Sequence, residues 1–522
     1  MDFTNLPSDP EELKAIIVKI ASEKEDLNNS LLSSINKLTE ENTNLKFELK
    51  TLQSKLFGKK SESWTREENS QALLFDEIET FSPEPDPLKA SQKIEEPLLT
   101  KVQSYHRKKS GRIQIPDSFP VEEILHDLKE EEKICSCGNH LTTFGSEKLD
   151  KVDILPPQIK VTRHIRPKYI CKACHGLDNI EESAVKIAPP VPQFLPKAIA
   201  DIGMLAYIIT AKFCDSLPFY RLSNIFTRFG FEISRTTLCN YAKKTKERLE
   251  FLEKDFWNSI LESPFLQIDE TPVRVLKEKS DKQSKSFMFV IRGGTTDNPI
   301  LKFIYHPTRS AKFLMELLKE YKGIVLTDGY PSYDSVLESN SNIIHAGCWT
   351  HTRRMFHEVY MLNKTNAEAN KILLLIRELY VLDAKASLLS LEEKKKHRQM
   401  NSKPVVEEIR KIMENQIPRT MPKSPLGKAY SYMAGQWHKL LVFLDHPEIP
   451  LDTNLVENAI RPFVIGRKNW LFSGTSDGAE ASAFLYSLIE TAKANKKEPY
   501  RYLKSLFQAV EQGQCPKLLE VG

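Results

Sequence analysis

The 522-residue sequence lacks the long apolar runs that mark membrane proteins. Its most apolar window, at residues 204–210, is far too short to span a bilayer. The first residues, MDFTNLPSDPEELK, include several acids and no early apolar stretch, so they do not resemble a signal peptide. We therefore expect a cytoplasmic protein without a membrane partner.

Cysteine is scarce, and neither sign of charge is in large excess. Eight cysteines in a reducing compartment predict a metal site or buried thiols and exclude a disulfide framework. The formal net charge is only +4, so a surface that binds nucleic acid must consist of local basic patches. The length exceeds what a single hydrophobic core supports, which predicts several domains.

Residues 10–57 contain no internal glycine or proline and predict one long helix. Four leucines in it recur every seven residues: Leu31, Leu38, Leu45 and Leu52. This spacing is typical of a leucine-zipper-like coiled coil, in which Asn42 would fix the register between copies of the chain. A single amphipathic helix packed on its own protein is the alternative.

The following segment, residues 58–118, is rich in Ser, Glu, Lys and Pro, and this composition predicts a flexible linker. It ends in the basic sequence HRKKSGR at 106–112. Such a cluster is usually solvated, but it can also contact phosphates.

Two close pairs of cysteines predict a zinc-binding module at residues 119–182. The pairs are Cys135 with Cys137 and Cys171 with Cys174. Each pair can reach a tetrahedral zinc ion from one tight loop, so two loops supply the four thiolates of a structural site. The 33-residue gap between the pairs is unusually long, and a nearby histidine can replace a cysteine; the candidates are His140, His164 and His175. The alternatives are buried reduced thiols and a redox dithiol.

A helix, a break and a second helix are predicted within residues 195–250. Gly230 marks the break, and Ser234 is a good N-cap for the second helix. This pattern indicates a helix-turn-helix-like DNA-binding region, whose second helix would lie in the major groove. The candidate DNA contacts on that helix are Arg235, Thr237, Asn240 and Lys243. An ordinary helical hairpin with solvated lysines is the alternative.

From residue 264 the pattern changes to short apolar runs, which predict β-strands. The predicted strands are 264–269, 287–293, 301–306, 323–328 and 342–347, with a helix at 310–321 and helical sequence from about 349 to 446. Three antiparallel strands, a helix and two further strands resemble the ribonuclease H-like α/β order. That resemblance of fold says little about function by itself.

Acidic residues at the ends of these elements are the candidates for chemistry. Asp269 and Asp328 each end a predicted strand, and Glu457 begins a predicted helix. Three such carboxylates can hold two magnesium ions about 4 Å apart, an arrangement that promotes phosphodiester chemistry. Ordinary explanations also exist. Asp before glycine marks a turn, and Glu457 can close a capping box with Asn454 or pair with Arg461.

Long blocks of the sequence are familiar. They are LFGKKSE, CSCG, RHIRPKYICKAC, LPFYRLSNIFTRFGFEISRTTL, IDETPVRVL, TDGYPSY, GCWTHTRRMF, NLVENAIRPFVIGRKNWLFSG and YSLIETAKANKKEPYRYL. Nearly from end to end, the chain resembles the large transposase of the insertion sequence 66 family. The resemblance implies metal-dependent DNA cleavage and strand transfer, with Asp269, Asp328 and Glu457 at the family's Asp-Asp-Glu positions.

The expected fold is therefore multidomain, with the coiled coil, the zinc-binding module and the helix-turn-helix-like region before an α/β ribonuclease H-like catalytic core. The core would span 260–475 with an all-helical insertion at about 357–446, and a C-terminal helical segment would span 476–522. The expected cofactors are two magnesium ions, with manganese as a substitute, and a structural zinc. The expected partners are DNA (element ends and target), a second copy of the chain and two accessory proteins of the same element. Binding to DNA would associate the protein with the nucleoid.

Basic residues beside the three acids are candidates for binding DNA phosphates. They are His351, Arg353, Arg354, Arg461, Arg467 and Lys468, and Trp470 is a candidate for stacking on a base. Charge balance around the metals and a buried aromatic are the alternatives. Asp334 and Glu270 are lower-ranked candidates for the acidic set. Two competing functions are a non-catalytic DNA-binding protein and a host nuclease that shares only the core fold.

Overall fold

The protein is described by a computed structural model. The described residues are 14, 18, 19, 21–35, 38, 42, 46, 49, 158–170, 185–277, 286–295, 297–337 and 340–521. The predicted linker and the four predicted zinc ligands, Cys135, Cys137, Cys171 and Cys174, lie outside the described residues. Contacts divide the chain into two compact units, Phe81–Thr162 and Met1–Thr80 with Arg163–Gly522. Only residues 158–162 of the first unit are described, and they have no regular secondary structure.

The described positions between residues 14 and 49 are α-helical. Their large apolar side chains are at least half exposed in the single chain, and they include Leu27, Leu31, Ile35, Leu38 and Leu49. The helical part of the prediction is therefore confirmed at these positions. At the described positions, the apolar side chains of the predicted seam are largely exposed to solvent in the single chain.

The five predicted strands that begin at about residue 264 form one mixed sheet. They are β3 (Phe265–Val273), β5 (Ser286–Gly294), β6 (Pro299–His306), β7 (Gly323–Thr327) and β8 (Ile343–Gly347). Their order in the sheet is β6-β5-β3-β7-β8. β3 pairs antiparallel with β5, and β5 with β6, whereas β7 runs parallel to both β3 and β8. Two small sheets accompany it: an antiparallel pair of β1 (Lys168–Ile170) with β2 (Val185–Ile187), and a parallel pair of β4 (Val275–Lys277) with β9 (Ser473–Thr475).

Helices flank the sheet on both sides in the described part of the chain. They are α1 (Ile202–Phe213), α2 (Phe219–Arg228), α3 (Arg235–Arg248), α4 (Leu252–Leu261), α5 (Ala311–Leu317), α6 (Pro331–Leu337), α7 (Trp349–Leu362), α8 (Ala367–Lys385), α9 (Leu391–His397), α10 (Lys403–Gln416), α11 (Pro425–Leu440), α12 (Asn454–Trp470), α13 (Ser476–Ala494) and α14 (Pro499–Glu511). No helix among the described residues is long and apolar enough to cross a membrane.

One hydrophobic core contains residues from three segments that the sequence predicted to be separate. Leu238 of α3 and Leu485 of α13 belong to the same buried cluster as the strands of the sheet. The predicted segments 195–250, 260–475 and 476–522 therefore share a core. The reason is that their helices bury apolar sides against the strands of the sheet and against one another.

Helix α13 also closes the edge of the sheet at β6. Ser487 Oγ accepts a hydrogen bond from Phe303 N at 2.8 Å, and Thr491 Oγ1 accepts one from Leu301 N at 3.0 Å. An exposed edge strand presents unpaired backbone groups that can recruit another chain. The two hydroxyls satisfy these groups and protect the edge.

The helices between β8 and α12 form a second core. Trp349 of α7, Ile376 of α8 and Met433 of α11 are buried together with Leu326 of β7, so this core rests on the sheet. Helix α7 begins directly after β8. The predicted start of the insertion, at about residue 357, therefore falls inside a helix, and the helical segment begins with α7.

The buried Arg398 connects distant parts of this insertion. Its guanidinium donates to Asp383 Oδ1 at 2.8 and 2.6 Å. It also donates to the carbonyls of Phe443, His446 and Ile449 at 2.8–3.0 Å. A buried cation needs such complete pairing to offset its desolvation.

Candidate active site

Asp269 lies in the middle of β3. The sequence predicted that it would end the strand, but the pairing of β3 with β5 continues past this point, with Asp269 opposite Val290. On its other side, β3 pairs in parallel with β7, and the last pair is Gln267↔Leu326. Continued by two residues, this register brings Asp269 beside Asp328.

Asp328 directly follows β7, as predicted for an acid at a strand end. Its Oδ1 atom accepts a hydrogen bond from Tyr330 N at 3.2 Å. Thr327 Oγ1 donates to the Asp328 carbonyl at 2.8 Å and lies 2.8 Å from His345 Nε2. The turn thus holds the acid at the carboxyl edge of the two parallel strands, where functional side chains of α/β sheets collect.

Glu457 lies in the first turn of α12 and faces α7. The N-cap is Thr453, so Asn454 is the first helical residue and not the predicted cap. Glu457 Oε1 accepts a hydrogen bond from Thr453 Oγ1 at 2.9 Å. The same oxygen lies 4.0 Å from His351 Nε2, and Oε2 lies 3.8 Å from Arg354 Nη2. The carboxylate therefore contacts the side chain of its own N-cap residue and also lies near two basic groups of α7.

The three acids share one electrostatic environment. Burial, reinforced by the negative charges of Glu457 and Asp328, raises the pKa of the Asp269 carboxyl from 3.8 to about 7. The guanidinium groups of Arg309 and Arg354 act in the opposite direction but do not cancel this rise in the pKa. Two acids far apart in sequence thus act on the third through space.

The oxygen atoms of the three acids are suited by their chemistry to a divalent cation. Within the described ranges, no three His, Cys, Asp or Glu side chains converge into a complete ligand set. Carboxylate oxygens are nevertheless the ligands that Mg²⁺ prefers. A cation among the three acids would relieve the repulsion that raises the pKa of Asp269.

The two lower-ranked acids have charged partners of their own. Glu270 forms an ion pair with Arg309 and accepts a hydrogen bond from the Tyr333 hydroxyl. Asp334 Oδ1 lies 2.5 Å from the buried Lys439 Nζ. Both acids are therefore compensated locally, unlike Asp269.

The basic residues of α12 divide into two groups. Arg461 and Lys468 are exposed. Arg467 instead donates to Thr271 Oγ1 at 2.9 Å and to the carbonyl of Pro272, so it ties α12 to β3. A guanidinium engaged in this way has fewer donors left for a DNA phosphate.

On α7, His351 and Arg353 are half-buried, His351 lies near Glu457, and burial lowers the pKa of His351. The ring of Trp470 already packs within the protein. Phe463 contacts it edge-on with ring centroids 5.4 Å apart, and Lys212 Nζ lies 4.8 Å from its centroid. The structure thus gives Trp470 the alternative role of a packed aromatic.

The helix-turn-helix-like region has the predicted helices and the predicted cap. Ser234 Oγ accepts from Thr237 N at 3.1 Å and lies 2.9 Å from the Thr237 hydroxyl. Arg235 and Asn240 are exposed on α3, whereas Lys243 is half-buried. Thr237 is therefore engaged in the helix cap, and the other three residues keep accessible surface.

Sequence reasoning missed two residues of the site, Arg309 and Thr453. Arg309 precedes the N-cap Ser310 of α5, and its guanidinium carbon lies 3.2 Å from the ring centroid of Tyr330. The polar run Asp-Thr-Asn before Glu457 was a signal for a helix start, and it contains Thr453. Nothing in the sequence signalled that either residue would contact an acid of the site.

The sequence is similar to the profiles of one protein family and to two proteins of one bacterium. The sequence profile of the transposase IS66 family matches residues 197–481. Three further profiles match: the zinc-finger binding domain of transposase IS66 at 132–175, the transposase C of IS166 homeodomain at 44–124, and the IS66 C-terminal element at 487–518. Two similar relatives come from Sinorhizobium fredii (strain NBRC 101917 / NGR234). "Uncharacterized protein y4qI" is 26% identical over 98% of this chain and 96% of its own length. "Uncharacterized protein y4jD" is 28% identical over 76% of this chain and 78% of its own length.

Proposed function

Because the chain belongs to the IS66 family of transposases, we propose that it cleaves and joins DNA at the ends of its insertion sequence by Asp-Asp-Glu chemistry. The observation that carries this proposal is the register of β3 and β7, which brings Asp269 beside Asp328; burial and the charges of Glu457 and Asp328 together raise the pKa of Asp269. The three carboxylates would hold two magnesium ions, or manganese in their place. When bound, these ions supply activation of the attacking oxygen and stabilisation of the leaving oxygen.

The order of the sheet supports a ribonuclease H-like catalytic core. Three antiparallel strands are followed by two strands that are parallel to the first, and the first strand lies at the centre. Asp269 lies on the central strand β3, and Asp328 directly follows the adjacent strand β7. Helix α12 packs against β3 and β5 and contributes the third acid.

DNA is the partner that the family and the zinc-finger profile both imply. Exposed cations on two elements are suited to its phosphates: Arg235 on α3, and Arg461 and Lys468 on α12. A structural zinc on Cys135, Cys137, Cys171 and Cys174 would stabilise the predicted module at residues 119–182, which precedes these exposed cations in the chain.

Self-association through the N-terminal helix completes the proposal. Its apolar side chains are exposed in the single chain, and Asn42 lies within the same seam. Pairing with a second copy would bury these side chains, and two copies would bring two DNA ends together. Two accessory proteins of the same element are proposed as further partners, in the cytoplasm and at the nucleoid.

The test uses DNA duplexes that carry the terminal inverted repeats flanking the gene. With Mg²⁺, the native protein should cut these ends, whereas Asp269→Asn and Glu457→Gln should bind them equally well and not cut. Glu414→Gln is the matched control, because Glu414 forms an exposed ion pair with Arg410 on α10, outside the acidic site. It should cut like the native protein.

Three other results would contradict the proposal. Unchanged cleavage by both acidic-site variants would show that the three acids are not the catalytic set. A native protein that binds the ends but never cuts or joins them, with Mg²⁺ or Mn²⁺ and the accessory proteins supplied, would indicate a non-catalytic DNA-binding protein. A gene without flanking inverted repeats would favour a host nuclease.

A further inference from the structure

The hydroxyl of Thr453 makes the closest contact to the third acid of the site. Thr453 is only 2% exposed, and its Oγ1 atom donates to Glu457 Oε1 at 2.9 Å. The same oxygen lies 3.3 Å from the buried Cys348 Sγ. A hydroxyl has one proton, and the carboxylate oxygen is both closer than the sulfur and a better acceptor, so that proton is directed to Glu457.

The backbone around Thr453 is fixed by residues from outside α12. Thr453 N donates to Cys348 Sγ at 3.4 Å, and Leu451 accepts from Trp349 N at 2.9 Å. The carbonyl of Asp452 accepts from Gln267 Nε2 of β3 at 2.8 Å. The turn that enters α12 is therefore attached to α7 and to the strand that carries Asp269.

The side chain of Asp452 adds a second set of connections. Its carboxylate accepts from Asn454 N at 3.0 Å, from Asn454 Nδ2 at 2.7 Å and from Thr350 Oγ1 at 3.2 Å. The Thr350 hydroxyl also lies 2.8 Å from the Tyr380 hydroxyl of α8. Two helices of the insertion thus hold the turn in place.

From these contacts we infer that Thr453 is a positioning residue, which sets the orientation of the Glu457 carboxylate toward a divalent cation. The inference rests on the proposed function. Glu457 has competing partners in His351 and Arg354, at 4.0 and 3.8 Å, and a glutamate side chain has several rotatable bonds. The shorter hydrogen bond from Thr453 selects one orientation, and the insertion determines where Thr453 lies.

The test compares two threonines of the same neighbourhood. Thr453→Val keeps the shape of the side chain and removes the hydroxyl, and no helix cap is lost because the Thr453 side chain makes no capping hydrogen bond. Thr453→Ser keeps the hydroxyl. Thr352→Val is the matched control, because the Thr352 hydroxyl on α7 is buried and has no hydrogen-bond partner among the described residues.

Mn²⁺ affinity of the full-length, metal-free protein is measured by electron paramagnetic resonance of the free ion. Loss of a group that orients a metal ligand typically weakens binding about 10–100-fold, and we expect this range for Thr453→Val. Thr453→Ser and Thr352→Val should bind Mn²⁺ like the native protein. In cleavage assays, Thr453→Val should need more Mg²⁺ for half-maximal rate and recover much of its rate at saturating Mg²⁺.

Native Mn²⁺ affinity in Thr453→Val would overturn the inference, and so would a Thr453→Ser variant as weak as Thr453→Val. Thr453→Ala removes the same hydroxyl and decides the matter if valine prevents folding. Failure of the proposed function gives a different result, because Asp269→Asn would then bind Mn²⁺ as tightly as the native protein.

Discussion

Replacement of Asp269 by asparagine is expected to stabilise the metal-free protein while it abolishes cleavage. The pKa of this carboxyl is about 7 in the folded protein and 3.8 as its ordinary value. The folded state therefore keeps a proton that the unfolded state has released, so stability falls as the pH rises from 3.8 to 7. At about 1.4 kcal/mol per pKa unit, the free energy of unfolding lost above pH 7 is on the order of 4 kcal/mol. Asparagine removes this loss and keeps the Oδ1 acceptor that Glu270 N uses at 2.8 Å.

The adjacent acid provides a control with the opposite sign. The Glu270 side chain is 4% exposed and is paired with Arg309, which is 24% exposed. Glu270→Gln leaves that guanidinium without its counter-charge, and breaking a buried pair costs about 3–5 kcal/mol. We expect about half of that cost here, because Arg309 remains partly solvated. Two neighbouring and chemically equal substitutions should therefore change stability in opposite directions.

Calorimetric melting temperatures in EDTA test this reasoning. At pH 8, Asp269→Asn should melt several degrees above the native protein, since a domain of this size gains about 2 °C per kcal/mol. The difference should shrink as the pH is lowered toward 4, and Glu270→Gln should melt below the native protein. An Asp269→Asn variant that melts at or below the native temperature at pH 8 would refute the reasoning.

Three further outcomes are expected. Burial lowers the pKa of His345 from 6.5 to about 4. The contribution of the neutral ring to stability is therefore complete above pH 6.5 and is lost as the pH falls toward 4. Between pH 7 and pH 4.5, the melting temperature of His345→Gln should fall by less than that of the native protein. Arg398→Met should cost about 3 kcal/mol or more because it leaves Asp383 and buried carbonyls unpaired, whereas Arg410→Met, which breaks an exposed pair, should cost less than about 0.5 kcal/mol in the same unfolding assay. The purified protein should contain about one zinc ion per chain by mass spectrometry, and a cysteine-to-serine change in residues 119–182 should lower that content; native zinc content in such a variant would contradict the predicted site.

The strands of the catalytic region could be predicted because each is a short apolar run with polar residues at its ends. The strand ends were less certain, and β3 shows why. In the sequence, Asp269 follows the apolar run and looks like a strand exit, yet pairing with β5 carries the strand on to Val273. A polar residue ends a strand only if no partner continues beside it, and the partner is supplied by tertiary structure.

The division into domains shows the same limit. The changes of pattern near residues 250 and 475 are real, but the helices on both sides of them bury their apolar faces on one sheet. Amphipathic periodicity tells which face of a helix is buried and not what covers it. Glu457 shows this limit too. The sequence predicted the start of its helix to within one residue, with Asn454 as the cap in place of Thr453. It did not predict the contacts of Glu457 with α7.

The sequence by itself determined the family, the order of the elements and the choice of the three candidate acids, because these depend on local patterns and long specific blocks. Only the tertiary structure decided that Asp269 is the acid with the strongly raised pKa, that Glu270 and Asp334 are compensated, and that Thr453 contacts Glu457. The physical reason is that a charge interacts with whatever lies within a few ångströms of it. Those neighbours come from the end of β7, the residues before α5, helix α11 and the start of α12, which are close together only after the chain has folded.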